Sequence, residues 1–173
     1  MSLGARTARR LLTALALLLS LPAVYGFGFK TDETSEARRD ANRFILEKLN
    51  RQSGEGWSRS GRFFLWSYRF SREGCELTMR REALEGGQTV TQTVPMSDVI
   101  PLWMGTGSLG LYCQSRLGCI DMRVAGGANA DLGSGRLSET PVLAPEPDDL
   151  PKLKDAFDEL HRLCDDAYGA GGQ

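Results

Sequence analysis

The stretch Trp66-Ser67-Tyr68-Arg69-Phe70-Ser71-Arg72-Glu73-Gly74-Cys75-Glu76-Leu77-Thr78-Met79-Arg80 decides the fold class. Trp66, Tyr68 and Phe70 alternate with Ser67 and Arg69. After the polar run, Cys75, Leu77 and Met79 alternate with Glu76, Thr78 and Arg80. Period-two alternation is the mark of a half-buried strand. A turn at residues 71–74 predicts pairing of Phe70 with Cys75, Tyr68 with Leu77 and Trp66 with Met79. All six apolar side chains then share one face, as register selection requires.

Outward from this hairpin, a second one turns at Glu85-Gly86-Gly87-Gln88 and returns through residues 89–94, where Pro95 ends it. Residues 96–100 read as a short connector. A third hairpin is expected from residues 109–114 and 119–124, pairing Leu111 with Met122 and Cys113 with Ile120. The Gly-rich run 125–135 reads as an exposed loop, and residues 136–143 as a last, weaker strand. Helices flank these strands. Ala37, Ala41, Phe44, Ile45 and Leu49 form an apolar stripe in a helix expected over residues 35–50, capped by Thr34 or Ser35. Leu153, Phe157, Leu160, Leu163, Cys164 and Ala167 form another, through Tyr168, in a helix opened by Asp148 or Asp149 with Pro151 in its first turn.

The fold class that follows is α+β: an antiparallel β meander or partly open barrel, with an N-terminal helix and a packed amphipathic C-terminal helix. The hairpins at 63–81 and 109–124, the segment Val94-Pro95-Met96-Ser97-Asp98-Val99 and the helix at 149–167 give an order that resembles the pleckstrin-homology-like (PH-like) barrel, over residues 60–168. In that fold a bent antiparallel barrel is closed by one C-terminal helix. The resemblance implies binding of lipids, peptides or proteins, and it leaves the N-terminal helix and the cysteines outside the family pattern.

The N-terminus sets the compartment. Arg6, Arg9 and Arg10 precede an apolar run over residues 11–24, and Val24-Tyr25-Gly26 ends in a small residue. This is the pattern of a secretory signal peptide over residues 1–26. The run of 14 residues is short of the ~20 that a spanning helix needs. Cleavage is expected after Gly26, with Ala23 as second choice. A flexible leader (27–34), a single α+β domain (35–168) and a disordered tail (169–173) complete the expected organisation of a secreted or periplasmic protein with no integral membrane segment after cleavage. Residues 1–26 hold three Arg and no acidic residue; removing them from 21 basic and 22 acidic residues leaves 18 against 22, a balance of −4. A mildly acidic chain is a poor general partner for phosphate backbones, so no nucleic acid is expected.

Export makes Cys75, Cys113, Cys119 and Cys164 disulfide candidates. In the expected third hairpin Cys113 points inward and Cys119 outward, whereas a bridge needs Cβ atoms about 3.8 Å apart. That register favours Cys75 with Cys113 and Cys119 with Cys164, although a one-residue adjustment at the turn would allow Cys113 with Cys119. A zinc set of Cys113, Cys119, His161 and Cys164 is the alternative, His161 and Cys164 being one helical turn apart.

Motifs for chemistry are sparse. Gly105-Thr106-Gly107-Ser108-Leu109-Gly110 spells Gly-x-Gly-x-x-Gly, but a strand follows where a dinucleotide site needs a helix, so it reads as a loop and no cofactor is expected. His161 is the single histidine, and with Asp158 and Asp165 it reads as a solvated helix face. Glu73, Glu76, Asp98 and Asp121 form no recognisable catalytic pair. Arg59, Arg62, Arg69, Arg72, Arg80 and Arg81 interleave with Trp57, Phe63, Phe64, Trp66, Tyr68 and Phe70. Alternation makes these the outer and inner faces of a hairpin, and the Arg face is where an anionic partner is expected. The functional expectation is a non-catalytic exported binding or interaction module for an unknown protein or anionic ligand. The alternatives are a hydrolase with an unidentified site and a structural envelope-associated protein.

Overall fold

A computed structural model describes residues 28–52, 56–59, 62–104, 108–115, 117–127, 133–143 and 146–169. The expected signal peptide and the tail beyond Gly169 lie outside them. The chain divides into two units, Met1–Glu33 and Thr34–Gln173. In the first, only the helical backbone from Gly28 is described; the second carries everything that follows.

Helix α1 spans Gly28–Leu49. It therefore begins within residues 27–34, where the sequence suggests a flexible leader. Its apolar stripe buries as expected: Ile45 and Leu49 are fully buried, with Ala41 and Phe44 packed beside them. A 3₁₀ turn, Asn50–Gln52, follows. The strands are β1 Gly56–Arg59, β2 Arg62–Phe70, β3 Glu76–Ala83, β4 Thr89–Pro95, β5 Val99–Trp103, β6 Leu109–Cys113, β7 Ile120–Ala125, β8 Gly135–Leu137 and β9 Glu139–Val142. A 3₁₀ turn at Pro147–Asp149 leads into helix α2, Leu150–Gly169. Every strand pair is antiparallel. One sheet has the order β1-β2-β3-β4-β7-β8 and the other β5-β6-β9, so the fold is α+β without a closed barrel.

The opening hairpin forms with its register moved by one pair. Tyr68 faces Met79, Phe70 faces Leu77 and Trp66 faces Arg81. The turn is longer than four residues: Ser71 N–H donates to Glu76 O at 2.8 Å, and Cys75 sits inside it. A two-residue shift preserves which face each side chain takes, so Tyr68, Leu77 and Met79 still enter the core. Asn50 completes the edge that β1 does not reach, its side chain donating to Tyr68 O and accepting from Tyr68 N–H, each at 3.1 Å.

The third hairpin does not form. The segments 109–113 and 120–125 are strands, but β6 pairs with β5 and β9, and β7 pairs with β4 and β8. The connector at 96–100 in fact leads into β5, an edge strand that tolerates Pro101 because its outer side needs no ladder N–H. The expected last strand is two, broken at Ser138, one in each sheet. The chain thus crosses between sheets after β4, β6 and β8. The three crossings meet in one corner: Gln114 N–H donates to Asp98 O at 2.8 Å, Cys113 N–H to Ser138 O at 2.7 Å, and Cys119 N–H to Leu137 O at 3.2 Å.

A single core fills the fold, built from Ile45 and Leu49, the inner residues of both sheets, and Leu153, Phe157, Leu160 and Cys164 of α2. At the start of α2, Asp149 is largely buried and receives Lys48 Nζ at 3.1 Å and Arg51 Nη1 at 3.7 Å. This ion pair ties the closing helix to the end of α1.

Two disulfides form, Cys75–Cys164 and Cys113–Cys119. The pairing favoured by the hairpin register, Cys75 with Cys113 and Cys119 with Cys164, is overturned. Its premise was a β6–β7 ladder. Without it, the end of β6 and the start of β7 are free to meet in the corner where the chain crosses between sheets, with Gly118 in the left-handed region at φ +76°.

Candidate anion-binding cleft

Helix α1 presents two adjoining faces. One is the buried stripe. The other carries Ser35, Arg38, Arg39, Asn42, Arg43 and Leu46 at helical spacing. The β2–β3 turn lies against this second face, and between them is an open cleft of about 710 Å³ completed by Phe70, Ser71, Arg72, Glu73 and Gly74. Ser35 to Leu46 is three turns of helix, so the cleft is about 16 Å long.

Gly74 permits the close approach. It has φ +81°, and a Cβ there would lie 2.5 Å from Asn42 Nδ2. Only glycine combines that dihedral with that space. Asn42 Nδ2 donates to Gly74 O at 3.0 Å, and Arg38 Nη1 reaches Cys75 Sγ at 3.3 Å. Asn42 is 9% exposed. Its bond to Gly74 fixes the amide's orientation and leaves Oδ1 without a hydrogen-bond partner among the described residues.

Four arginines and one glutamate line the cleft. Arg43 is engaged with Asp40 at 3.0 Å, an exposed pair. Among the described residues, neither Arg39 nor Arg72 has a carboxylate within ion-pair distance. Guanidinium groups suit carboxylate and phosphate oxygens through paired N–H donors. The cleft therefore presents donors suited to an anion.

Of the six arginines expected to share a surface, the four whose side chains are described do not share one. Among these four, Arg72 enters the cleft. Arg69 and Arg80 are exposed on the opposite face of the hairpin, Arg80 paired with Glu82 at 3.0 Å. Arg81, two residues beyond Met79 on β3, lies on the aromatic face in either register, its guanidinium 5.1 Å from the Phe64 ring centre and 5.2 Å from that of Trp66. Arg59 and Arg62 lie in β1 and β2, with side chains outside the described residues. Arg38, Arg39 and Arg43 were missed because their spacing reads as an ordinary solvated helix face. Their link to the turn spans 32 residues, as the Asn42–Gly74 bond shows.

His161 is not a solvated residue. It is half-buried, with Nδ1 2.9 Å from Met96 O and Nε2 3.0 Å from Gln114 Nε2. A carbonyl only accepts, so Nδ1 carries the proton and Nε2 accepts from the Gln114 amide. The zinc set is also divided. Cys164 is bonded to Cys75 and Cys113 to Cys119, which leaves no thiolate to bind metal. Of the Gly-x-Gly-x-x-Gly motif, residues 105–107 lie outside the described residues. Gly110 is in β6, where a Cβ would meet Met104 Sδ at 2.5 Å, which is a packing role.

Shifted ionisation lies away from the cleft. Burial raises the Tyr68 phenol far above its ordinary range, with a small opposing effect from its contact with Leu143 O. On the outer face of α2, hydrogen bonds from Arg162 lower the Glu159 carboxyl, and the same pairing raises Arg162. Comparison of the chain with protein-family models, curated proteins and solved structures found no match.

Proposed function

We propose that this protein is a non-catalytic binding module, secreted or periplasmic, that holds an anionic partner in the cleft between α1 and the β2–β3 turn. The observation that carries this reading is the convergence of Arg38, Arg39, Arg43 and Arg72 on one groove. His161 supports it further, since both ring nitrogens are engaged in holding α2 to the Met96 and Gln114 segments. The two disulfides fit an oxidising compartment, and among the described residues no helix is long and apolar enough to cross a membrane. In this reading residues 1–26 act as the signal peptide, and the order of strands followed by one C-terminal helix is what supports the resemblance to a PH-like fold. Intact-mass measurement of the exported protein tests the cleavage after Gly26.

The binding reading is tested by thermal melting of the oxidised protein with inorganic phosphate, citrate and tripolyphosphate at constant ionic strength. A ligand present at a hundred times its Kd stabilises the folded state by about 2.7 kcal/mol. The polyanions should raise Tm in the parent and not in an Arg39→Glu/Arg72→Glu variant. Equal behaviour of the two proteins would rule the cleft out as the anion site.

A further inference from the structure

We infer that the Cys113–Cys119 bridge is a thiol–disulfide exchange site, which takes a small thiol into a mixed disulfide at Cys119 and releases Cys113. Neither cysteine lines the anion cleft, so the site stands apart from the binding reading. Three observations point to it. The first is access. Cys113 and Cys119 are both half-buried, flanked in the chain by exposed Gln114 and Leu117 and in space by exposed Asp98, whereas Cys75 is 5% and Cys164 0% exposed. A thiolate reaches the short bridge in the folded protein and the long one only when the fold opens. The second is a difference between the two sulfurs. Cys119 N–H is shared between Leu137 O at 3.2 Å and Cys113 Sγ at 2.8 Å. Cys119 Sγ faces an acceptor instead, Asp98 O at 3.8 Å. A donor N–H stabilises a thiolate, and the better-stabilised thiolate is the faster leaving group. Attack at Cys119 with departure of Cys113 is thereby favoured. The third is the corner itself. The backbone hydrogen bonds from Gln114 to Asp98, Cys113 to Ser138 and Cys119 to Leu137 close it without the sulfurs. They keep the two cysteines together once the bridge opens, which makes the exchange reversible.

In the forward step the incoming thiolate forms a bond to Cys119 Sγ as the Cys113–Cys119 S–S bond breaks, and the electron pair of that bond leaves on Cys113 Sγ. Cys113 Sγ then takes a proton from water and as a thiol donates to Leu137 O, 3.4 Å away. One disulfide and one thiol give another of each, with no net oxidation. In the reverse step Cys113 attacks Cys119 Sγ, expels the small thiol and restores the bridge. Gln114, the residue after Cys113, also holds His161 at 3.0 Å, so the exchange site adjoins a contact that pins α2.

Glutathione mixed with the full oxidised chain at neutral pH tests the inference. Free thiols are capped with N-ethylmaleimide at early times, and cleavage at Arg116 separates the two cysteines for mass spectrometry. Glutathione should appear on Cys119 at least about fivefold more than on Cys113, with Cys75–Cys164 intact. Removing glutathione before capping should restore the bridge in most molecules. Equal labelling of Cys113 and Cys119 overturns the inference, because the attack then has no direction. Labelling of Cys75 and Cys164 at the same rate overturns it too, because exchange then follows unfolding. A bridge that stays closed to glutathione until urea is added has the same consequence.

Discussion

The two disulfides sit in regions of opposite character. Cys75–Cys164 joins the β2–β3 turn to α2 across 89 residues, with Cys75 almost and Cys164 fully buried. Cys113–Cys119 joins the ends of a crossing only 6 residues apart, and both cysteines are partly exposed. The first closes a loop that holds most of both sheets, so its main action is on the freedom of the unfolded chain. The second removes little chain entropy. Its place is the corner where three sheet crossings exchange backbone hydrogen bonds, and it holds that corner in the folded state. Equal chemistry thus does different work according to the length of chain it encloses.

Breaking the long bridge should have the largest effect. Chain-entropy scaling gives a loss of about 4–5 kcal/mol for Cys75→Ala/Cys164→Ala, read by urea unfolding. A loss below that of the short bridge would show that folded-state geometry governs both. Asp149→Ala, which strips the partner from Lys48 and Arg51 at the other end of α2, is expected to cost about 3 kcal/mol as a largely buried ion pair. Rescue by Asp149→Asn to near wild type would mean that charge contributes nothing there.

Removing the short bridge, Cys113→Ala/Cys119→Ala, should cost about 2 kcal/mol on the same scaling. Its exposure also makes it the first target of a reductant. Under native conditions, timed alkylation and mass spectrometry should find Cys113 and Cys119 modified well before Cys75 and Cys164, and simultaneous modification would contradict the difference in access.

At neutral pH the smallest expected effect is that of titrating Tyr68, whose hydroxyl lies 3.5 Å from Leu143 O beneath the core face of β2. Burial raises its folded pKa above the ordinary value of 10.0. The unfolded state therefore loses its proton first, and the stability due to this group is fully present below pH 10.0 and declines as pH rises past it, by up to about 1.4 kcal/mol per pH unit. Tyr68→Phe should flatten that alkaline decline; an unchanged slope would place the titration elsewhere.

The meander of β2, β3 and β4 was legible because every contact in it is local. Alternation assigns the faces, and a register error of two residues at Ser71–Cys75 leaves those faces intact. Helix α2 was legible for the same reason, its stripe from Leu153 to Cys164 needing no partner to be recognised. The β6–β7 hairpin was not. Leu111 and Ile120 are apolar in either pairing, so the sequence contains no penalty for the wrong one. The choice lies with β5 and β9, whose Pro101 and Pro141 weaken the strand signal. The cleft was half legible: Arg72 was named among candidate residues, while Arg38, Arg39 and Arg43 carried no mark that distinguishes a groove from an ordinary charged face.

The sequence by itself determined the class of fold, the buried faces of its hairpins and flanking helices, and the four cysteines as bridge candidates. These follow from periodicity and residue chemistry, which act over a few residues. Tertiary structure alone decided which cysteines meet, how the chain divides between two sheets, that His161 is pinned to Met96 and Gln114, and that three arginines of α1 converge with Arg72. Each of these depends on contacts between segments distant along the chain. No local pattern specifies such contacts; they emerge when one shared core must be filled from both sheets and two helices at once.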